Sequence, residues 1–281
     1  MKKGIIKLLD HKILYNSESI SGEYAKRDYL EGAEAAIIKK FGSRFKEMDV
    51  LDMGVGGGRT TKYFAPLARS YIGADYAPNM IAKCKVKYRG KYSFVESDVR
   101  SMNMFGGNMF DFVLFSYNGI DSFNHEDRLA ALKEIRRVLK STGYLYFSSH
   151  NLNWENLPDL FRFKSVKTGT GKKNGSGDFI RLLGNNIKSG FKKLRLNILN
   201  RSLHRKDFVQ HLKEKQRGLL YDNSLNGKAS VYYITRAEQI RQLKDSGFKN
   251  ITTYLRNGTN TENEEKLNKD GWIYYLCEAD K

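Results

Sequence analysis

Cysteine is nearly missing from this chain. Cys84 and Cys277 are the only two in 281 residues and stand far apart, which supports neither a disulfide framework nor a zinc site and points to a reducing compartment. Long apolar runs are missing too. No stretch approaches the roughly 18 residues that a membrane-spanning helix needs. The opening MKKGIIKLLDHKILY starts like a signal peptide, but Lys7, Asp10 and Lys12 interrupt it before a useful apolar length is reached. The expectation is a cytoplasmic protein without a transmembrane segment. No internal repeat is visible, and acids are scarce in one region. From Asn151 to Asp222, sixteen basic residues stand against six acidic ones, so more than half of the formal net charge of +18 lies in about a quarter of the length.

What is present is enough for a core. Hydrophobic residues make up 40% and aromatics 12%, which suits one large α/β domain, or one domain carrying an insertion. Up to position 151, apolar runs alternate with helical spacing, the pattern of a parallel sheet. Strands are expected at 50–53, 71–74, 92–95, 110–116 and 144–149, the fourth (FDFVLFS) apolar on both faces as a central strand requires. Helices are expected at 59–67, from Pro78, and from Arg128 with Gly143 as its C-terminal cap. TRAE, Thr235 to Glu238, fits a capping box that opens another helix. Two closing strands, 250–255 and 272–277, complete a doubly wound, mostly parallel seven-strand sheet with an antiparallel last strand. Three parts follow: an N-terminal helical segment, 1–46, covering the site; a Rossmann-like core, 47–151 and 231–281; and an inserted, mainly helical basic cap, 152–230. FIRLLGNNIKSGFKKLRLNILN is the longest helical piece of the cap, and KTGTGKKNGSG, 167–177, reads as a mobile loop.

VLDMGVGGGRTT, Val50 to Thr61, puts four glycines into five positions after the first strand. Clustered glycines there serve a tight turn or the close approach of a ligand. A dinucleotide site wants GxGxxG, and counting from Gly54 the third position is Arg59. What stands instead is Asp52, then Gly54, Gly56 and Gly58, then Arg59. Asp75 ends the second strand 21 residues after Gly54, and ESDVRSM places Asp98 and Val99 after the third.

With these landmarks in order, the chain resembles the class I S-adenosylmethionine-dependent methyltransferases over residues 45 to 151 and 231 to 278. The resemblance implies S-adenosylmethionine as cofactor and S-adenosylhomocysteine as product. It implies that Asp52, Gly54, Gly56 and Gly58 form the turn for the methionine part and that Asp75 takes the ribose hydroxyls. Asp98 and Val99 then face the adenine, Tyr76 and Met80 sandwich it, and Ser116 stands beside the sulfonium. Methyl transfer from a sulfonium needs alignment and exclusion of water more than a nucleophilic side chain. A base is needed only when the acceptor arrives protonated.

Acceptor-facing candidates follow the fourth and fifth strands: Ser116, Tyr117, Asn118, Asp121, His150 and Asn151, with Tyr232 and Tyr233 where the chain re-enters the core. Tyr117, Asn118 and His150 are the catalytic candidates, His150 as general base or acceptor-orienting residue. SYNG at 116–119 departs from the [DNS]PP[YFW] tetrapeptide of base-modifying relatives, which counts against a nucleic-acid base as acceptor. The basic cap is open to three explanations: a solvated surface, an anionic small acceptor, or RNA or a membrane surface. The function expected is an N- or O-methyltransferase of a small polar metabolite or glycan precursor. An RNA methyltransferase and a non-catalytic cofactor-binding subunit are the alternatives.

Overall fold

Short apolar strands can be buried together only as a sheet covered on both faces. The computed structural model describes residues 11–162, 176–204 and 207–281, and it builds such a sheet. The chain opens with α1 (His11–Tyr15), α2 (Glu18–Ala25) and α3 (Gly32–Phe41). The first half of the core is β1 (Asp49–Met53), α4 (Thr61–Phe64), β2 (Ser70–Asp75), α5 (Pro78–Tyr88), β3 (Ser93–Glu96), β4 (Phe110–Phe115), α6 (His125–Val138) and β5 (Leu139–Asn151). The insertion contributes α7 (Ser176–Leu203), α8 (Phe208–Lys215), β6 (Arg217–Tyr221) and β7 (Ser230–Ile234). Then α9 (Arg236–Asp245), β8 (Phe248–Leu255), α10 (Glu264–Asn268) and β9 (Trp272–Ala279) close the chain.

Strands β3, β2, β1, β4 and β5 lie side by side and parallel. On the other flank of β5, β9 runs antiparallel from Tyr144↔Glu278 to His150↔Trp272, and β8 pairs antiparallel with β9. This is the expected mostly parallel sheet with its last strand reversed, but it has nine strands among the described residues where seven were expected. β4 shows why it is central: Phe112 and Leu114 enter the cluster under α3 and α5, while Val113 and Phe115 enter the one under α6 and α9. The strand order reverses between β1 and β4, so the crevice for a ligand opens at their C-terminal ends.

Three features depart from the expectations. The helix after β1 shrinks to the single turn of α4, because Pro66 has no N–H to donate to the preceding turn. Gly143 does not cap α6, which passes at Leu139 straight into β5. It lies within that strand, where a Cβ would sit 3.0 Å from the Phe110 carbonyl oxygen, beside an irregularity in the β4–β5 register. The insertion is not helical throughout: β6 and β7 form an antiparallel hairpin, and β7 pairs with the end of β5 at His150↔Tyr233 and Asn151↔Ile234. Val231, Tyr232, Tyr233 and Ile234 explain it, since β-branched and aromatic residues fit a pleated, buried surface. Of the Gly/Lys tract expected as a loop, residues 167–175 lie outside the described residues.

Candidate active site

The glycine turn is held from both sides. Gly54, Gly56 and Gly58 take φ of 66°, 55° and 77°, a region open to glycine at no steric cost. At Gly57 the constraint is space: an added Cβ would meet Ala25 N at 2.3 Å and Tyr24 C at 2.4 Å. The close neighbour demanded by this glycine is therefore the protein's own helix α2. Arg59 secures the same junction. It is buried, forks onto the Glu34 carboxylate of α3 and donates to the Tyr29 carbonyl at 2.9 Å. Breaking one side of such a buried pair costs about 3–5 kcal/mol.

Two buried carboxylates underlie the turn. Asp52 accepts from the Thr60 hydroxyl and from the Tyr71 hydroxyl at 2.7 Å, and burial, opposed by these bonds, pushes its carboxyl up to about 6. Asp75 accepts from Gly56 N–H at 3.0 Å on one oxygen and from Ala77 N–H at 2.9 Å on the other. Burial pushes it up to about 6 as well, against the pull of those backbone bonds. Backbone N–H groups of Gly56, Ala77 and Tyr76 take up part of the acceptor capacity of the Asp75 carboxylate, which has about four lone-pair sites in all. Asp75 lines a cleft of about 80 Å³. Tyr76, Met80, Val99, Phe115 and Phe123 give the cleft apolar walls, and Asp52, Gly54, Gly56 and Ser116 also line it.

Asp98 is placed differently. It is not among the lining residues, and its carboxylate is forked by Arg100, with bonds of 2.7 to 3.2 Å. Burial works to raise its pKa, but the Arg100 bonds outweigh this and leave it below the usual value.

A second chamber adjoins the cleft. It shares Tyr15, Tyr24, Arg27, Tyr117 and Ser122 with it, and adds Asn118, His150, Val231, Trp272 and the 223–225 turn of the insertion. Its volume is about 260 Å³. Tyr117 and Asn118 both have positive φ, 57° and 58°, a strained pairing for non-glycine residues that costs on the order of 1–3 kcal/mol each. The bend turns the Tyr117 ring edge-on to Trp272, centroids 4.9 Å apart, and near the Arg27 guanidinium at 5.0 Å. Asn118 N–H donates to Ser148 Oγ at 2.8 Å, which anchors the bend to β5.

On the chamber wall stands a histidine with a buried partner. His150 Nδ1 lies 2.7 Å from Asp121 Oδ2, and the His150 backbone N–H donates to the same oxygen at 2.7 Å. A carboxylate can only accept, so Nδ1 carries a hydrogen, while Nε2 lies 3.3 Å from Asn118 Nδ2. Asp121 also accepts from Ser149 Oγ at 2.7 Å and from Arg128, which is fully buried and donates onward to Ser149 Oγ and Gln239. Two polar atoms facing this region, Arg27 Nη1 and Asn118 Oδ1, are buried with no hydrogen-bond partner among the described residues.

Residues 51–147 match the family model described as a methyltransferase domain. Over these residues the chain carries a methyltransferase domain. Solved structures with the same fold are similar to nearly the whole of it. A 1,6-didemethyltoxoflavin N1-methyltransferase from Burkholderia thailandensis, solved with 1,6-didemethyltoxoflavin and S-adenosylhomocysteine bound, is 13% identical at a TM-score of 0.54, covering 97% of this chain and 91% of its own. An S-adenosylmethionine-dependent methyltransferase from Mesorhizobium loti is 11% identical at 0.55, covering 88% and 97%. The PH0226 protein of Pyrococcus horikoshii is 16% identical at 0.54, covering 95% and 93%. No curated protein matches the chain.

Of the expected site residues in this methyltransferase domain, Asp52, Gly54, Gly56, Asp75, Tyr76, Met80, Val99 and Ser116 lie together on the cleft, and Tyr117 bridges to the chamber holding Asn118 and His150. Gly58 lies behind the turn, against Tyr88 and Cys84. Asn151 turns away to bond the Leu267 and Asp270 carbonyls. Tyr233 stands behind His150 at a centroid distance of 4.9 Å with its hydroxyl on Asp222, while Tyr232 packs over Arg128. Sequence reading missed Tyr15, Tyr24, Arg27, Trp272 and the 223–225 turn. Only the placing of the N-terminal segment over the site hinted at the first three.

Proposed function

We propose that this methyltransferase moves a methyl group from S-adenosylmethionine to an oxygen or nitrogen of a small polar, anionic acceptor held in the second chamber. The observation that carries the reading is the His150–Asp121 pair on the wall of a chamber that shares five residues with the glycine cleft. When bound, S-adenosylmethionine supplies a methyl group already activated by its sulfonium. The fit rests on the cleft's own chemistry: Asp75 keeps part of its carboxylate's acceptor capacity for hydroxyls, and Tyr76, Met80, Val99 and Phe123 offer apolar walls to a flat base. Gly54 and Gly56 leave the turn bare for the methionine portion.

The chain's remaining work is alignment and proton removal. Tyr117, with its bend anchored on Ser148, forms the wall between cleft and chamber, and its edge contact with Trp272 fixes the direction of approach. His150 Nε2 takes the proton of an acceptor hydroxyl or amine as the new bond forms. Asp121, held by Ser149 and Arg128, keeps the hydrogen on Nδ1 and stabilises the imidazolium, a contribution of roughly 10²–10⁴ in rate. Arg27, with Nη1 unpaired among the described residues, supports a negative charge on the acceptor. Residues 152–230 present the chamber with the turn Asn223, Ser224 and Leu225, and Val231 follows where the chain re-enters the core. Among the described residues, no basic side chain of 152–230 lines the chamber, so the charge of the cap is no argument for the acceptor's charge.

Calorimetry with S-adenosylmethionine on wild type and Asp75→Ala tests the donor half. Losing bonds to a charged acceptor is worth about 1.5–3 kcal/mol, so the variant should bind at least roughly tenfold more weakly. Equal affinities remove Asp75 from the site. A screen of small acceptors with methyl-labelled cofactor and product mass read directly tests the acceptor half.

A further inference from the structure

Helix α7 is apolar on two opposite sides. Leu196, Leu199 and Asn200 are buried, the two leucines in the cluster formed with Phe161, Leu220 and Val231. On the other side Phe191 is 68% exposed, Ile198 55% and Leu194 46%. The spacing 191, 194, 198 makes one stripe along the helix, and these residues line a shallow groove with Arg195. A surface helix normally leaves its outer face polar, and a contiguous exposed patch of large apolar side chains marks an interaction surface.

The charge around the stripe selects the occupant. Lys192, Arg195 and Arg201 are exposed beside it, and positions 179–206 hold eight basic residues and no acid. A second copy docked on the same face would bring like charges together with no carboxylate to pair them. Residues 163–175 carry four lysines and only Phe163 and Val166 as apolar side chains, so they are poor cover for it. The first described residues lie near β3, where Lys12 meets Glu96, whereas α7 packs on β6. A surface with phosphates outside and hydrocarbon beneath satisfies both the basic border and the apolar stripe.

We propose that α7 docks the enzyme on an anionic membrane surface, with Phe191, Leu194 and Ile198 seated at headgroup depth. The inference is independent of the methyl-transfer chemistry. Co-sedimentation of the full chain with phosphatidylcholine vesicles, with and without phosphatidylglycerol, tests it. Wild type should bind the anionic vesicles and leave the zwitterionic ones largely unbound, and the bound fraction should fall about tenfold in F191S/I198S. These positions are exposed, and unchanged thermal unfolding confirms the fold. Absence of binding to anionic vesicles overturns the proposal, as does equal binding by F191S/I198S. It is also overturned if lipid-free sedimentation shows a dimer, or a gel shift shows an RNA complex, that the same pair of substitutions abolishes.

Discussion

The glycine cleft and the chamber beside it are built by different means. The floor of the cleft is main chain: a turn of glycines held by backbone N–H bonds to Asp75 and pressed from outside by the backbone of α2. The chamber is side chain. Tyr15, Arg27, Tyr117, His150, Ser224 and Trp272 reach it from segments spread over almost the whole length. A main-chain site tolerates changes of side chain but not added atoms near the turn. A side-chain site has the opposite sensitivity. The donor half is therefore fixed by fold geometry, while the acceptor half can be re-specified by a few substitutions on separate elements.

The largest expected effect lies on the chamber side alone. His150→Gln should lower single-turnover methyl transfer by roughly 10²–10⁴ and leave S-adenosylmethionine affinity unchanged, as measured by rapid quench and calorimetry. Unchanged turnover would make His150 a structural residue packed on Tyr233. An equal loss of cofactor affinity would mean that the two halves are not separable. Gly57→Ala attacks from the main-chain side. Its Cβ would meet backbone atoms of Tyr24 and Ala25, which cannot swing aside as a side chain end can. Overpacking of this kind costs about 1–3 kcal/mol. Because α2 carries walls of both spaces, cofactor affinity and turnover should fall together, by roughly 10–100-fold, with a lower melting temperature. A loss confined to turnover would show that α2 belongs to the chamber and not to the cleft.

The same contrast explains what could be read in the sequence. The glycine turn, Asp75, Met80 and Val99 lie within fifty residues and are positioned by consecutive strand ends, so the order of landmarks that carries the family resemblance placed them near one another. The strand pattern was legible for the same reason: FDFVLFS is apolar on both faces because both faces are covered. Asp98 lies off the cleft lining and is forked by Arg100, and nothing in ESDVRSM announces that Arg100 will fold back onto it. Tyr15, Arg27 and Trp272 carry no local signal, because what makes them site residues is contact with distant segments: Tyr15 with Tyr76, Arg27 with Tyr117, and Trp272 with Tyr117 and His150. The β6–β7 hairpin was hidden by the basic composition around it, which masks the alternation of a short strand. His150 was legible as a strand-end histidine. The Asp121–Arg128 support that keeps a hydrogen on its Nδ1 is a tertiary fact.

A smaller effect separates the two carboxylates of the cleft, and it runs through pH. Burial raises Asp52 and Asp75 from 3.8 to about 6, so between those values the folded state holds more protons than the unfolded one. Stability of the free protein therefore falls as pH rises from about 4 to about 6 and levels off above, each group contributing at most about 1.4 kcal/mol per pH unit. Cofactor affinity has the opposite sign. A diol donates to a carboxylate and not to a protonated acid, so binding through Asp75 should strengthen as pH rises through about 6 and be flat above 7. At pH 5 it should be about tenfold weaker. Asp52 spends its bonds on Thr60 and Tyr71, side chains of the turn and of β2, and should add nothing to this dependence. Calorimetry between pH 5 and 8 on Asp75→Asn and Asp52→Asn separates the two. The slope should vanish in the first and persist in the second. A slope that survives Asp75→Asn would place the proton elsewhere and break the assignment of the diol to the main-chain half of the site.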